Sequence, residues 1–275
     1  MSGQRVSAGQ VERLAGLLSE RDWRIVIDLQ RVKVLTGQQL DQLHFQDVAT
    51  SARGRVRRRT MARLRDWRVV AALERRIGGE RAGSSGLIFT LDTAGRRLLE
   101  RHQAAPDEPA PATRIRRPRT PRPLFLAHAL AVSQLYVDLA AAVKAVRGLT
   151  LDAFATEPAC WWPDGGGWLK PDAYLALAST EFVDHVWAEV DRATESLPTL
   201  RGKLHTYLDF LNRGELGPGG VMPRVVISVP DDARAAAIRR EVARLPDTGV
   251  ELFSVVRHEV TAQAIVGGLL DGGAP

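Results

Sequence analysis

One cysteine, Cys160, stands in 275 residues. That excludes a disulfide framework and a cysteine-ligated zinc site within one chain, and it fits a reducing cytoplasm. A small buried residue is the expectation for Cys160, since no His or acid nearby marks it as a nucleophile. No run of about 18 apolar residues stands out, so no transmembrane helix is expected. Residues 1–10 lack a basic start followed by an apolar stretch, so no signal peptide is expected either. Six scattered histidines without an H-E-x-x-H pattern argue against a zinc hydrolase. Gly217-Pro218-Gly219-Gly220 lacks the Lys-Ser/Thr ending of a P-loop, which argues against a nucleoside triphosphate site. There is no internal repeat, and no Ser-His-Asp order stands out.

What is present is positive charge. The net charge is +6, with an isoelectric point near 10.1, which favours a polyanionic partner. Nearly all of that charge is arginine, in a chain also rich in Ala and Gly. Such a composition is that of a GC-rich genome, so clusters of arginine carry more weight than the total.

Residues 9–20 and 21–34 show helical spacing of apolar positions. Thr36 reads as the cap of a short helix ending near Phe45, and Ser51 as the cap of another running to about Asp66. Residues 67–75 and Leu87–Leu91 read as strands around a loop at Gly78-Gly79 and Gly83-Ser84-Ser85-Gly86, and Asp92 or Thr93 caps a helix to about His102. The order, three helices and two strands around a glycine loop and a last helix, is that of a winged helix-turn-helix, with the loop as its wing. Residues 103–123 read as a Pro/Arg-rich linker containing Arg114, Arg116, Arg117, Arg119 and Arg122. From Leu124 the apolar pattern returns. A long helix (124–147) is followed by strands near 149–157, 167–178 and 181–191, a helix from Leu200 to Asn212, a buried strand at Arg224–Val229, a helix from Asp231 to Leu245 and a strand near 250–256. The expected fold class is therefore a two-domain α+β/α/β protein. A winged helix occupies residues 1–102, and a mixed sheet flanked by helices occupies 124–275.

Arg53, Arg55, Arg57, Arg58, Arg59, Arg63, Arg65 and Arg68 fall within sixteen residues that contain one acid, Asp66. Like charges at i,i+4 destabilise an isolated helix by a few tenths of a kcal/mol per pair. A chain that accepts this repeatedly on one element gains by neutralising phosphates, so Arg53, Arg55, Arg57, Arg58, Arg59 and Arg63 are candidate contacts to duplex DNA. Val56, Met61 and Leu64 are the expected inward face. The alternative is a solvated basic helix.

A second constellation lies downstream. Alternation along strands puts Lys170, Asp172 and Tyr174 on one face, and Trp187, Glu189 and Asp191 on one face. If those strands are neighbours with the faces aligned, three carboxylates converge. Such a cluster is costly unless a cation neutralises it, and Mg²⁺ or Mn²⁺ suits an all-oxygen donor set. Asp172, Glu189 and Asp191 are the candidate metal ligands, and Lys203 and Tyr207 share a face of the following helix. Lys203 would hold a phosphate or the attacking water, making Asp172, Glu189 and Lys203 the candidate catalytic set, with Arg192 an alternative cation and Thr194 a further candidate. His128 opens the long helix, where it either approaches the carboxylates or caps a turn. The alternative is polar strand ends with ordinary surface ion pairs. Trp161-Trp162-Pro163-Asp164-Gly165-Gly166-Gly167 reads as a strand end and hairpin loop whose tryptophans either pack or stack on bases.

Pro171-Asp172 and Glu189-Val190-Asp191 resemble the PD-(D/E)xK restriction-endonuclease-like superfamily, except that Asp191 stands at the lysine position. In some members the lysine function migrates to the next helix, a place Lys203 would fill. Over residues 20–256 the chain more closely resembles the replication-relaxation family of actinobacterial plasmids and integrative elements. The matching features are the winged-helix half, His128-Ala-Leu-Ala, Pro171-Asp172-Ala173, Glu189-Val-Asp191-Arg192-Ala-Thr194-Glu195, and Lys203 with Tyr207. Ala193 stands where that family would have Gly. The resemblance implies a DNA-binding protein of mobile-element replication or transfer. Its nuclease-like domain either nicks DNA with a divalent metal or serves as a non-catalytic platform for an accessory factor or regulator. Duplex DNA, a homodimer and no membrane complete the expectations on partners.

Overall fold

The computed structural model describes residues 6–76, 86–103 and 117–272. The tip of the expected wing (77–85) and linker residues 104–116, with Arg114 and Arg116, lie outside them. The chain forms two compact units, Met1–Ser133 and Gln134–Pro275.

The first unit begins with α1 (Ala8–Leu17) and α2 (Glu20–Val32). Ser19 and Asp22 form a capping box at the start of α2, satisfying two of its orphan N–H groups. A two-residue strand, β1 (Leu35–Thr36), precedes α3 (Gly37–His44), which opens with a second capping box between Thr36 and Gln39. The arginine-rich helix α4 spans Thr50–Asp66. Its N-cap is Ala49, without a side-chain hydrogen bond, and Ser51 lies inside the first turn rather than capping it. β2 (Val70–Arg76) and β3 (Leu87–Leu91) pair antiparallel, and β1 joins the other edge of β3, giving the order β1-β3-β2. α5 (Thr93–Gln103) follows, with the Asp92 carboxylate accepting from the Thr93 N–H at 2.6 Å. Gly95 sits so close to the preceding strand that a Cβ there would meet the Val69 carbonyl oxygen at 2.3 Å.

The long helix α6 (Pro123–Lys144) carries the boundary between the units. An 18-residue window of it reaches a mean hydropathy of 1.5, long and apolar enough by length and composition to cross a membrane. The sequence reading places this helix at 124–147 but does not register its apolar window. Its first half is core in the first unit. Leu126 and Leu130 pack with Val34, Leu73 and Ile88, and the Ser133 hydroxyl donates to the Val34 carbonyl at 2.7 Å.

The second unit is built on five strands: β4 (Thr150–Thr156), β7 (Ala173–Ala178), β8 (Val183–Val190), β9 (Arg224–Val229) and β10 (Phe253–Arg257). Their order is β10-β9-β8-β7-β4, with β8, β9 and β10 parallel and β7 and β4 antiparallel to their neighbours. A small ribbon, β5 (Trp162–Pro163) with β6 (Trp168–Leu169), precedes β7. The stretch expected as one strand over 167–178 is thus two, because Lys170-Pro171-Asp172 interrupts it and proline cannot donate to a ladder. One sheet face is covered by α7 (Leu197–Asn212) and α8 (Asp232–Val242). Leu204, Tyr207 and Phe210 of α7, and Ala235 and Ile238 of α8, share a core with Trp187, Val225, Ile227 and Val229. On the other face Tyr136 of α6 packs on Phe154, and Ser228 bonds to Thr261 of α10 (Thr261–Gly272) at 2.7 Å. The short α9 (Asp247–Leu252) leads into β10. The mixed sheet with helices on both faces agrees with the sequence expectation.

Candidate functional site

The strand register assembles the candidate site. β7 and β8 pair antiparallel with Tyr174 opposite Trp187 and Ala173 opposite Ala188. One step further places Asp172 opposite Glu189, and the Asp172 N–H donates to the Ala188 carbonyl at 3.1 Å. Directly opposite residues share a face, so both carboxyls lie on the α7 side. Because β8 runs parallel to β9 and β7 runs against it, the start of β7 meets the end of β8. The pair therefore sits at the carboxyl-end rim of the parallel strands, where open α/β sheets place ligands.

α7 covers this rim with the two residues expected to share a face. The Tyr207 hydroxyl donates to Glu189 Oε1 at 2.6 Å, and Lys203 Nζ donates to Oε2 at 3.3 Å. Lys203 also reaches Glu195 at 3.4 Å. The Asp172 carboxylate accepts from the Val190 N–H at 2.7 Å, which ties it across the end of β8. The α7 helix is set by Ser196, whose hydroxyl caps the Thr199 N–H, and by Pro198 in the first turn.

Glu189 is 5% exposed. Its pKa is pushed up to about 7, chiefly by burial and then by the Asp172 charge, against the lowering pull of Lys203 and Tyr207. Burial also raises the Tyr207 phenol well above its ordinary range, with Glu189 adding to the effect, so the hydroxyl stays a donor. Burial works against the Lys203 charge, yet the surrounding Glu189, Asp172 and Glu195 outweigh it and leave the pKa above that of an ordinary lysine.

Asp191 is placed differently. It lies just past the end of β8, 8% exposed, and its carboxylate accepts from Arg234 of α8 at 2.5 Å (Nε) and 3.1 Å (Nη2). The three expected ligands do not cluster: among the described residues no three of His, Cys, Asp and Glu are grouped to hold a metal ion. Arg192 is half-buried and Thr194 exposed on the connection to α7, and His128 lies on α6 in the first unit. Glu195 and Arg234 were missed as site residues. Glu195 falls inside the Glu189–Glu195 motif, so its sequence neighbourhood was a signal, whereas nothing marked Arg234.

In α4 the inward face is Arg57, Met61 and Leu64, all buried, while Val56 is only half-buried. Arg57, expected on the DNA side, is 4% exposed and pairs with Asp41 at 3.4 Å. Burial lowers the Arg57 pKa and Asp41 counters. Arg63 bonds both oxygens of the fully buried Asp22, at 2.7 and 2.6 Å. Arg53 donates to the Val48 carbonyl at 3.2 Å, and Arg68 donates to the Thr93 hydroxyl at 2.6 Å. Arg55, Arg58, Arg59 and Arg65 are exposed and form no salt bridge among the described residues.

The sequence pattern of the replication-relaxation family matches residues 27–225. The chain belongs to the replication-relaxation family. The match takes in α4, the Asp172–Glu189 pair, and Lys203 and Tyr207, and stops at the start of β9. No curated protein and no solved structure matches this family member.

Proposed function

We propose that the protein acts on DNA during replication or transfer of a plasmid or integrative element. In this reading the first unit is a winged helix-turn-helix that grips duplex DNA through Arg55, Arg58, Arg59 and Arg65. The second is a restriction-endonuclease-like domain that hydrolyses a phosphodiester bond at Asp172, Glu189 and Lys203. Family membership supports the biological setting. The single observation that carries the chemistry is the pairing of Asp172 with Glu189 across β7 and β8 under a lysine and a tyrosine from α7.

The donor set fits Mg²⁺ or Mn²⁺ in the mode that uses one or two carboxylates and leaves the remaining positions to water and substrate phosphate. Burial raises the Glu189 pKa to about 7 and the Asp172 charge adds to it; a bound cation would offset the second contribution. Asp172 and Glu189 would hold the ion, which when bound lowers the pKa of a water and polarises a phosphate. Lys203 presents a positive charge to the phosphate once it exchanges Glu189 or Glu195 for it. Tyr207 keeps Glu189 oriented through the 2.6 Å bond.

A second reading is favoured by the same contacts. Lys203 and Tyr207 already satisfy both oxygens of Glu189, and Arg234 neutralises Asp191. A nuclease-like fold whose carboxylates are internally compensated suits a binding platform of a replication accessory factor. Supercoiled plasmid incubated with Mg²⁺ or Mn²⁺ separates the two. Nicking by the wild type that Asp172→Ala and Glu189→Ala abolish, with binding retained, supports the hydrolase. Binding without nicking in all three proteins supports the platform.

A further inference from the structure

The ribbon β5–β6 stands immediately before Asp172 and has two unlike faces. Trp162 pairs with Leu169, and Pro163 with Trp168. The first pair faces inward. Leu169 is 1% exposed, and Trp162 packs on the same core and donates its indole N–H to the Leu216 carbonyl at 3.0 Å. Pro163 and Trp168 form the outward pair, and Trp161 and Lys170 flank the ribbon one residue outside its two strands. Trp168 is 54% exposed there. Lys170 is exposed with its ammonium 5.0 Å from the centre of the Trp161 ring, and no acidic partner for it occurs among the described residues. Cys160 anchors the base of this face by donating its thiol hydrogen to the Pro171 carbonyl at 3.0 Å.

We propose that the face formed by Trp161, Pro163, Trp168 and Lys170 is a stacking platform for the unpaired bases of a DNA single strand. The Trp168 indole offers an exposed π-face to any base, and the Lys170 ammonium, held over the half-buried Trp161 ring, meets the backbone charge, the combination by which single strands are held without sequence preference. An apolar protein partner would not select an exposed cation within the patch. Lys170 lies two residues before Asp172, at most about 7 Å of extended chain. The platform therefore borders Asp172 along the chain. The inference deepens the proposed function, on which it rests for the role of Asp172, by naming the substrate as DNA with an unpaired segment, such as a melted origin or a flap.

The test uses the full-length protein in EDTA, with fluorescence anisotropy of an end-labelled single-stranded oligonucleotide and of a blunt duplex of equal length. Trp168→Ala is expected to weaken single-strand binding about tenfold while duplex affinity stays within about twofold, and Trp168→Phe to restore most of the loss. Lys170→Ala is expected to lower the salt slope of single-strand binding by about 0.7, the share of one phosphate. Unchanged melting temperatures identify these as binding effects. An equal loss on both DNAs, no loss in Trp168→Ala, or failure of Phe to rescue overturns the platform. Plasmid nicking is read on the same variants. Intact nicking with no single-strand effect removes the platform and leaves the hydrolase. A single-strand effect with no metal-dependent nicking leaves the platform and removes the hydrolase.

Discussion

Tyr207 donates to Glu189 across 2.6 Å, joining the buried face of α7 to the end of β8. Both partners are at most 5% exposed, so water cannot replace either. Tyr207→Phe removes the donor and leaves a buried carboxylate oxygen with one partner fewer. A loss of about 1–3 kcal/mol is expected, the desolvation penalty of a group left unsatisfied. Urea denaturation at pH 7 reads it as a lower midpoint with an unchanged slope, and no loss would mean that Glu189 finds another donor.

Glu189 also makes stability depend on pH. Its pKa is about 7 in the folded protein and near 4.5 when unfolded, so between those values the native state binds more protons. Its contribution is fully present below pH 4.5 and is lost as the pH rises through 7, with a slope of at most about 1.4 kcal/mol per pH unit. Glu189→Gln removes this slope. Stability measured at pH 5.5 and 8.0 should fall more in the wild type than in the variant, and parallel profiles would contradict the pKa.

Ala193 adopts a backbone φ of 56°, in the left-handed region that glycine occupies freely and other residues at a cost of about 1–2 kcal/mol. It is also where the family resemblance leads one to expect Gly. Ala193→Gly relieves that strain but adds unfolded-chain entropy of about 0.4–1 kcal/mol, so a net gain of up to about 1 kcal/mol is expected. A lower melting temperature would show that the Ala193 methyl contributes packing that outweighs the strain.

The arginines of α4 should divide by exposure. Arg55→Ala, Arg58→Ala and Arg59→Ala should each weaken duplex binding and lower its salt slope by about 0.9 per lost phosphate contact, with stability unchanged. Arg57→Ala strips Asp41 of a buried partner and should instead cost about 2 kcal/mol of stability. Salt titrations of binding beside thermal melts check both halves. An Arg57 variant that is stable but fails to bind would reverse the assignment.

Much of this was legible because period-2 alternation holds inside a strand. It placed Asp172 with Tyr174 and Glu189 with Trp187, and the i,i+4 rule placed Lys203 with Tyr207. The rule fails past the strand end, where Asp191 is fixed by Arg234, 43 residues later, a separation no local pattern carries. Helical periodicity alone also misassigned Arg57, since its long side chain can fill an inward position when Asp41 compensates the charge. β1 is two residues long and offers no period to read. α10 was not foreseen. Gly267 and Gly268 lie beside its buried face of Ala262, Ile265, Val266 and Leu269 and lower its helix propensity by about 1 kcal/mol each against Ala.

Asp191 and Asp172 should therefore separate under substitution, although the sequence places both in one ligand set. Asp191→Asn leaves the Arg234 guanidinium, 13% exposed, without its charge partner. It should lower stability by a few kcal/mol, the penalty of breaking a buried ion pair. Because Asp191 lies outside the Asp172–Glu189 pair, folded Asp191→Asn should keep whatever metal-dependent nicking the wild type shows, to within a few-fold. Asp172→Asn should do the reverse on nicking, abolishing it while the protein binds DNA normally. Plasmid nicking at a temperature well below the melting point of each variant measures the difference. Equal loss of nicking in the two variants would return Asp191 to the site and require Arg234 to release it when DNA binds.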